Sequence, residues 1–544
     1  MTPSVGTLDR AQPSGPWTRR ASSAGVMVLG AIPLAGFLVW GVTRLCGTVV
    51  EARRERQPAA PEVPSARAVP KRWPGVASLP RAWHVSSAGV MVLGAIPLAA
   101  FLAWGVAHIY STVVALVGGS EGIVMPWLVS FLLLWWVPLS WLERPRTAPP
   151  ESRARLDALK VTVQIPVYNE DPDALRACLH STLVQSRPVD RIRVVDDGSA
   201  YPDGSPMTYD DIRAELFERA AARRVEVTWD RTPNRGKRYA QMHVLADDDA
   251  DVFVTLDSDS VLDSEAVAEG LKPFADPKIT SVAGQVLVLN HAANLLARMT
   301  NLLYLPFTRG LRSAQSVLGR VTINSGTLAF YRARIVREAA GVYEREMFRG
   351  RPMQMNDDSM LTFYGLLAGD TVHQPSSLVF TLVPERPSHY LRQQMRWMRG
   401  TTVRHLWWLR YMPLHGVVFW STVAEYVHIA LGIAIPAVIL ADPGLRGHVG
   451  TLALAGVVIG TAMSYLMALR LFTVHRTDMR FHQTLLLFAL APVASVWRAL
   501  VLRPMYFYAM ATCHHVNRWG TRAGIEVTRG GHENVAGKGI PVPS

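Results

Sequence analysis

The chain is poor in cysteine and in charged residues. Among 544 residues there are three cysteines, Cys46, Cys178 and Cys513. Their wide separation excludes a disulfide framework and the ligand spacing of a zinc site. Charged residues make up 18% of the chain and hydrophobic residues 49%, a balance typical of a membrane protein with one sizeable soluble domain. The formal net charge is +13. Because the basic residues flank apolar runs, we attribute this excess to the positive-inside rule and predict no nucleic-acid partner.

Three apolar runs near the N-terminus are long enough to cross a bilayer, which takes roughly 20 residues of helix. They cover about residues 24–42, 88–117 and 122–142. The letters SSAGVMVLGAIPLA occur at residues 22–35 and again at 86–99, so the first two runs contain a duplication. We predict an extra anchor and a disordered linker over residues 1–85 and a transmembrane hairpin over 86–143. The alternative is a duplication without functional consequence.

The positions of Lys and Arg predict which side of the membrane each loop faces. Residues 144–160 carry several basic residues, whereas residues 108–121 carry none. Basic loops face the cytoplasm, so the domain at 150–404 is predicted to be cytoplasmic and the protein to be a multi-pass protein of the plasma membrane.

Apolar segments return after this domain. Residues 405–513 contain runs at about 417–440 and 449–472, and we predict interfacial and transmembrane helices there. The last stretch, 484–513, is interrupted by arginines and a proline, which predicts either one span or a re-entrant or interfacial pair. Residues 514–544 are then expected on the cytoplasmic side.

The cytoplasmic domain alternates apolar, β-branched runs with helical stretches, which predicts an α/β fold. The first run, residues 161–167, is nearly continuous in apolar residues, as expected of a buried parallel strand. Ligands of open α/β sheets bind beyond the carboxyl ends of the strands. The polar residues that follow these runs are therefore the candidate site residues.

Three strand ends carry groups suited to a nucleotide. Tyr168 and Glu170 follow the first strand, and Asp197 follows the second. A carboxylate there can accept from a base N–H or a ribose hydroxyl, although Asp197 could instead only cap a turn. Lys237 stands in the run Asn-Arg-Gly-Lys-Arg after the third strand. Glycine beside cations suits a phosphate contact, and the alternative is a solvated basic loop.

The fourth predicted strand ends in two aspartates one residue apart, Asp257 and Asp259. Such a pair at a strand end can share a hard cation, and Mg²⁺ or Mn²⁺ held by oxygen ligands can bridge a diphosphate. We therefore predict a metal site at Asp257 and Asp259, while a D-x-D sequence also arises by chance.

A second acidic pair, Asp357 and Asp358, opens an apparent helix downstream of Ser325 and Gly326. A carboxylate at this place can act as a general base towards a hydroxyl group. The alternative is that Asp357 or Asp358 serves as the N-cap of that helix.

Gln393, Arg396 and Trp397 lie shortly before the next membrane-length apolar run. Arginine can hold a diphosphate through paired hydrogen bonds, and a tryptophan face can carry a sugar ring. The alternative is an amphipathic helix that lies on the membrane with a basic face.

In this order the motifs resemble those of processive family-2 glycosyltransferases, which include cellulose, chitin and hyaluronan synthases. The resemblance covers roughly residues 88–522. It is nearest to hyaluronan synthases in Asn-Asp-Asp-Ser-Met-Leu-Thr at 356–362, in Gln-Gln-Met-Arg-Trp at 393–397 and in Trp-Gly-Thr-Arg at 519–522. Asn356, Ser359 and Thr327 depart from the usual Gly, Arg and Pro of the family, which puts the identity of the sugar in question more than catalysis.

The resemblance implies a GT-A-type nucleotide-sugar domain inserted between transmembrane and interfacial helices. It implies that Asp358 is the general base of an inverting transfer, that Asp259 and Asp257 bind Mg²⁺ or Mn²⁺, and that a gating loop closes over the bound UDP-sugar. The implied substrate-binding residues are Tyr168, Glu170, Asp197, Lys237, Asp257, Ser325, Gly326, Asp357, Gln393, Arg396, Trp397, Trp519 and Arg522.

The product implied first is hyaluronan, made from UDP-GlcNAc and UDP-GlcA and exported across the bilayer as the polysaccharide grows. One alternative is a synthase of a chitin-like or other N-acetylglucosamine polymer, and another is a non-processive transferase with a lipid acceptor. A transporter or channel with an inactive cytoplasmic domain is a third, against which the complete set of aspartates argues.

Overall fold

The protein is described from a computed structural model, which covers residues 134–515 except 354, 442, 475 and 477, together with separate residues between 97 and 128. The predicted N-terminal anchor and linker at 1–85, most of the predicted hairpin, and Trp519 and Arg522 of the predicted gating loop lie outside the described residues.

The ten strands of the described chain form one mixed sheet and one hairpin. In chain order they are β1 Val161–Val167, β2 Arg191–Asp196, β3 Glu226–Arg231, β4 Val252–Leu256, β5 Ser260–Leu262, β6 Ile279–Val288, β7 Leu328–Arg332, β8 Met347–Phe348, β9 Arg351–Pro352 and β10 Asp370–Thr381. The sheet has the order β3-β2-β1-β4-β7-β6-β10-β5, and β8 pairs with β9. Strands β1 to β4 are mutually parallel, whereas β7 runs antiparallel to both of its neighbours.

Helices cover both faces of the sheet and continue beyond it. They are α1 Trp136–Leu142, α2 Arg153–Asp157, α3 Pro172–Leu183, α4 Asp210–Arg223, α5 Lys237–Leu245, α6 Ala266–Leu271, α7 Leu295–Leu305, α8 Arg312–Val317, α9 Ala333–Glu344, α10 Asp357–Ala368, α11 Pro387–Tyr411, α12 Val417–Ala441, α13 Pro443–Arg446, α14 Val449–Ala468, α15 Phe481–Ala489, α16 Ala491–Trp497 and α17 Arg503–Ala511. Turns of 3₁₀ helix occur at Pro150–Ser152, Lys272–Ala275 and Leu469–Thr473, and π-helical turns at Pro306–Leu311 and Arg498–Leu502.

The α/β pattern predicted from the sequence is confirmed in the strands. Strand β1 has the predicted bounds, and six of its seven residues are buried, as a strand covered on both faces requires. Helix α3 starts where Pro172 occupies its first turn and the side chain of Asp171 accepts from the Ala174 N–H at 2.9 Å. Proline and an aspartate cap together fix this start, just beyond the carboxyl end of β1.

Side chains on the two faces of the sheet belong to two different core clusters. Along β4, Val252, Val254 and Leu256 pack with β1, α3 and α4, whereas Phe253 packs on the other face with α9, α10 and α11. Burying a side chain of this size contributes roughly 1.5–3 kcal/mol. The period of two along the strand therefore places alternate side chains in the two layers and stabilises both of them.

The helices after the domain are apolar and only partly enclosed. By length and composition the described residues contain one helix able to cross a membrane, Val449–Thr473, or up to two if Phe481–Ala489 and Ala491–Ala511, bent by 44°, form a single span. Within α12, Val417–Ala430 is an apolar segment shorter than a span. The multi-pass arrangement stays a prediction. The predicted domain boundary at residue 404 falls inside the continuous helix α11.

Candidate active site

A cavity of about 560 Å³ lies beyond the carboxyl ends of β1, β2 and β4. Every predicted site residue within the described chain contributes to its wall. These are Tyr168, Glu170, Asp197, Lys237, Asp257, Asp259, Ser325, Gly326, Asp357, Asp358, Gln393, Arg396 and Trp397. The chain thus brings together in one space residues that are more than 200 positions apart in sequence.

Asp197 connects two strand ends at one side of the cavity. Its two carboxylate oxygens accept from the backbone N–H groups of Arg235 and Gly236 at 2.9 and 2.8 Å. Burial raises the pKa of Asp197, while these hydrogen bonds favour the ionised form. The turn after β2 is held instead by Asp196, whose Oδ1 accepts from the Ser199 N–H at 2.8 Å. Asp197 therefore lines the cavity and also holds the two residues that precede Lys237.

Lys237 joins the two acidic motifs. Its Nζ donates to Asp257 Oδ1 at 2.7 Å and lies 3.1 Å from Asp357 Oδ2. Burial alone would lower the pKa of Lys237, but the carboxylates of Asp257 and Asp357 raise it well above the usual range. Gly326 permits this arrangement, because a Cβ at that position would lie 2.9 Å from Nζ. The ammonium is therefore fixed between carboxylates at the place where a diphosphate is predicted to bind.

The pair Asp357 and Asp358 begins α10 but does not cap it. The cap position belongs to Asn356, which has a left-handed backbone (φ 51°) and makes no side-chain cap bond, so the N-cap alternative is wrong. A Cβ on Gly400 of α11 would lie 2.2 Å from Asn356 Oδ1. A larger residue than glycine at position 400 would therefore clash with the side chain of Asn356, because α11 lies close against the start of α10.

The two neighbouring carboxyl groups have opposite pKa shifts. Burial and then the adjacent Asp357 carboxylate raise the pKa of Asp358 to about 6. Burial would also raise the pKa of Asp357, but Lys237 and Arg238 bring it below its usual value. The carboxylate of Asp358 accepts from the Ser359 N–H at 2.7 Å and from the Gly326 N–H at 3.3 Å. Two adjacent acids with separated pKa values are an arrangement suited to acid–base chemistry, and Asp358 is the one tuned towards neutral pH.

Asp257 and Asp259 fit a divalent cation that is completed by substrate. Both carboxylates line the cavity, and Asp259 Oδ1 lies 3.1 Å from Ser260 Oγ and 3.3 Å from Thr381 Oγ1. Within the described ranges there is no group of three or more His, Cys, Asp or Glu arranged to hold a metal ion. Mg²⁺ is commonly held by one or two carboxylates together with substrate phosphates, so these two hard oxygen donors fit such a site.

Helix α11 forms the opposite wall. Trp397 is 38% exposed, which is high for an indole, and its ring lies 5.9 Å from that of Tyr304 at a tilt of 50°. The Tyr304 hydroxyl donates to Gln393 Oε1 at 3.5 Å. An exposed indole beside a second aromatic ring suits contact with the apolar face of a sugar.

Sequence reasoning missed two features of this wall. The π-helical turn Pro306–Leu311 contributes Phe307, Thr308 and Leu311 to the cavity, and such turns occur frequently at functional sites. The fully buried Arg312 lies over the ring of Phe307 at 4.6 Å and donates to Ser325 Oγ at 2.7 Å. Pro306 inside an apolar helical pattern was the available signal for the turn, whereas nothing in the sequence marks Arg312.

Two family models match overlapping parts of the chain. The one described as Glycosyl transferase family 2 matches residues 162–339, and the one described as Glycosyl transferase family group 2 matches residues 252–513. Together they span the sheet, the cavity and the apolar helices that follow.

Curated relatives with similar sequences include a hyaluronan synthase from Streptococcus pyogenes serotype M1. It is 29% identical over 405 residues, which cover 74% of this chain and 90% of the relative. An N-acetylglucosaminyltransferase from Rhizobium meliloti (strain 1021) is 33% identical over 252 residues, 44% of this chain and 55% of that protein. Among solved structures, a mannosyltransferase from Pyrobaculum calidifontis in complex with GDP-Man and Mn²⁺ is similar with a TM-score of 0.38 and 17% identity, over 70% of this chain and 98% of that one. The chain contains a glycosyltransferase family 2 domain with a mixed α/β fold and is a glycosyltransferase.

Proposed function

We propose that the protein is a membrane-embedded, processive, inverting glycosyltransferase that polymerises UDP-sugars into an exported polysaccharide. One observation carries this proposal. A single cavity is lined by Asp197, by Asp358, by Trp397 on α11 and by residues in the first turns of the apolar helix α12. The proposed donor, base and acceptor positions therefore share one cavity with the first of the predicted membrane segments after the domain.

In the proposed reaction Asp358 takes the proton of the acceptor hydroxyl. The acceptor oxygen then forms a bond to the anomeric carbon on the side opposite the diphosphate. The bond between that carbon and the phosphate oxygen breaks, its electron pair leaves with UDP, and the configuration inverts. A pKa of about 6 for Asp358 keeps the carboxylate mostly ionised at pH 7 and still basic enough to accept the proton.

Several cavity side chains are proposed to bind the leaving group, UDP. Lys237 and Arg396 both line the cavity and would contact the diphosphate, while Tyr168, Glu170 and Asp197 would contact the uridine. A divalent cation held by Asp259 and Asp257 would neutralise the charge that develops on the diphosphate. Gln393 and Trp397 would hold the acceptor sugar, and Trp519 and Arg522 would close over the donor.

We propose hyaluronan as the product and UDP-GlcNAc and UDP-GlcA as the donors. The similarity to a hyaluronan synthase along 90% of its length supports this choice. A multi-pass position in the plasma membrane with the catalytic domain in the cytoplasm is part of the proposal, and the positions of Lys and Arg beside the apolar runs support it. The second candidate is a chitin-like N-acetylglucosamine polymer, which the similarity to an N-acetylglucosaminyltransferase favours.

Purified protein in lipid nanodiscs with Mg²⁺ or Mn²⁺ tests these alternatives. The protein receives UDP-GlcNAc, UDP-GlcA or both, and polymer and UDP are measured. We expect polymer only with both donors, and we expect hyaluronidase to degrade it. Polymer from UDP-GlcNAc alone that resists hyaluronidase and is degraded by chitinase would contradict hyaluronan and support the second candidate.

A further inference from the structure

Residues of α12 line the same cavity as the predicted acceptor site. Two faces of this helix have different surroundings. Val418, Phe419 and Val423 pack into the core with Trp408 and Met412. The adjoining face lines the cavity with Ser421, Thr422, Ala424, Glu425 and His428. The cavity thus has a second polar region, beyond Trp397, that none of the motifs predicted.

Glu425 is the one residue among Asp, Glu, Lys and Arg in the 25-residue apolar helix α12. Placing an acidic residue in such a helix costs free energy, so the residue is a candidate for a functional role. Its side chain is 41% exposed, and among the described residues its one ion-pair contact within 4.0 Å is with the ring of His405, at 3.5 Å. Burial lowers the pKa of His405, which disfavours the positively charged form of the ring beside the carboxylate. The Tyr506 hydroxyl donates to the other oxygen of Glu425 at 3.1 Å.

These contacts leave a negatively charged acceptor of hydrogen bonds facing the cavity. A carboxylate has about four acceptor sites, and the two contacts above occupy two of them. Hydroxyl and amide N–H groups of a neutral sugar can occupy the others in charge-assisted bonds. The carboxylate of a uronic acid at the same position would face a like charge, which disfavours it.

We propose that Glu425 is a specificity-determining residue of a saccharide subsite in this cavity, which prefers a neutral hexose or N-acetylhexosamine unit to a uronate unit. The inference rests on the proposed function, because it takes the occupant to be the growing chain. In an alternating polymer, the chain would pause with its amino sugar beside Glu425. In a polymer of N-acetylhexosamine alone, every unit would be accepted.

The test compares oligosaccharide binding by the wild-type protein and by Glu425→Gln in nanodiscs. The probes are a neutral tetrasaccharide of N-acetylglucosamine and a hyaluronan tetrasaccharide. We expect the wild type to bind the neutral probe more tightly. Glu425→Gln should reduce the ratio of the two affinities about tenfold, because hydrogen bonds to a charged group are stronger than those to a neutral group and the like charge is removed.

Two variants control for structural effects. Glu344→Gln makes the same change at an exposed position of α9 and should leave the ratio at the wild-type value. Glu425→Asp keeps the charge with a shorter side chain, so it should retain the preference for the neutral probe even if Glu425→Gln folds poorly. An unchanged ratio in folded Glu425→Gln, or loss of the preference in folded Glu425→Asp, would overturn the inference.

The result is separable from the proposed function. UDP binding is measured alongside the tetrasaccharides, because His405 and Tyr506, the contacts of Glu425, are not among the residues proposed to hold the nucleotide. A wild-type protein that prefers the neutral tetrasaccharide but releases no UDP from any donor would contradict the proposed function alone. A wild-type protein that releases UDP but binds both probes equally would contradict the role of Glu425 alone.

Discussion

Replacing Lys237 with methionine tests whether Lys237 lowers the pKa of Asp358, the proposed general base. Methionine keeps the length and apolar volume of the side chain but removes an ammonium that lies 2.7 Å from Asp257 and 3.1 Å from Asp357. Lys237 lowers the pKa of both Asp357 and Asp358. Removing a nearby opposite charge shifts a carboxyl pKa by about 1–3 units, and each unit corresponds to about 1.36 kcal/mol.

The direction of the shift follows from the sign of the charge. Without Lys237 the ionised form of Asp358 is less favourable, so its pKa rises from about 6 to about 7 or higher. Less of the base is then ionised at pH 7, and the acid limb of kcat/KM, which reports the free enzyme, moves to higher pH. The rate lost at pH 7 should be partly recovered at pH 8.5, although the diphosphate contact of Lys237 is still missing.

The assay is UDP release from UDP-GlcNAc and UDP-GlcA between pH 5 and pH 9, with kcat/KM determined at each pH. The wild-type limb should lie near pH 6 and that of Lys237→Met about one unit higher or more. Lys278→Met removes a lysine from an exposed position before β6 and should leave the limb in place. A limb in Lys237→Met that coincides with the wild type would refute the claim that Lys237 sets the pKa of the base.

Three other changes test separate parts of the site. Trp397→Ala should shorten the polymer and lower the elongation rate about tenfold or more while UDP binding survives, because the ring is proposed to hold the acceptor; an equal loss of UDP binding would contradict this. Asp259→Asn should raise the Mg²⁺ or Mn²⁺ concentration for half-maximal UDP release about tenfold or more, since one of two hard ligands is lost, and a variant with unchanged metal dependence would exclude Asp259 as a ligand. Deletion of residues 1–80 should leave UDP release largely intact, and an inactive truncation that inserts at normal levels would show that the duplicated segment is needed.

The strands of the sheet were predictable because each one is marked by its own short stretch of sequence. Runs of β-branched residues and the polar residues directly after them marked β1, β2 and β4 together with the residues at their ends. Since parallel strands place their carboxyl ends on one edge, Tyr168, Asp197 and Asp257 could be expected in one site. The apparent helix at Asp357 was predictable for the same reason, as its apolar pattern begins directly after an acidic pair.

The rest of the site depends on contacts between distant segments. Nothing local indicates that Lys237 lies between Asp257 and Asp357, or that Arg312 supports Ser325 from behind the wall. Asp197 shows the same limit, because its hydrogen bonds to Arg235 and Gly236 require the end of β2 to lie beside the loop that follows β3. Glu425 was passed over because a search for membrane spans weighs average hydropathy, to which a single carboxylate contributes little.

The measurement that bears most directly on the account is UDP release by the wild-type protein and by Asp358→Asn, in the same membranes and at equal protein levels. Asparagine keeps the shape of the side chain but cannot take the proton of the acceptor hydroxyl. General-base catalysis contributes about 10²–10⁴-fold, so UDP release in the presence of UDP-GlcNAc and UDP-GlcA should fall by about that factor while UDP binding is retained. Equal UDP release from the wild type and Asp358→Asn would contradict the assignment of the base and, with it, the proposed mechanism.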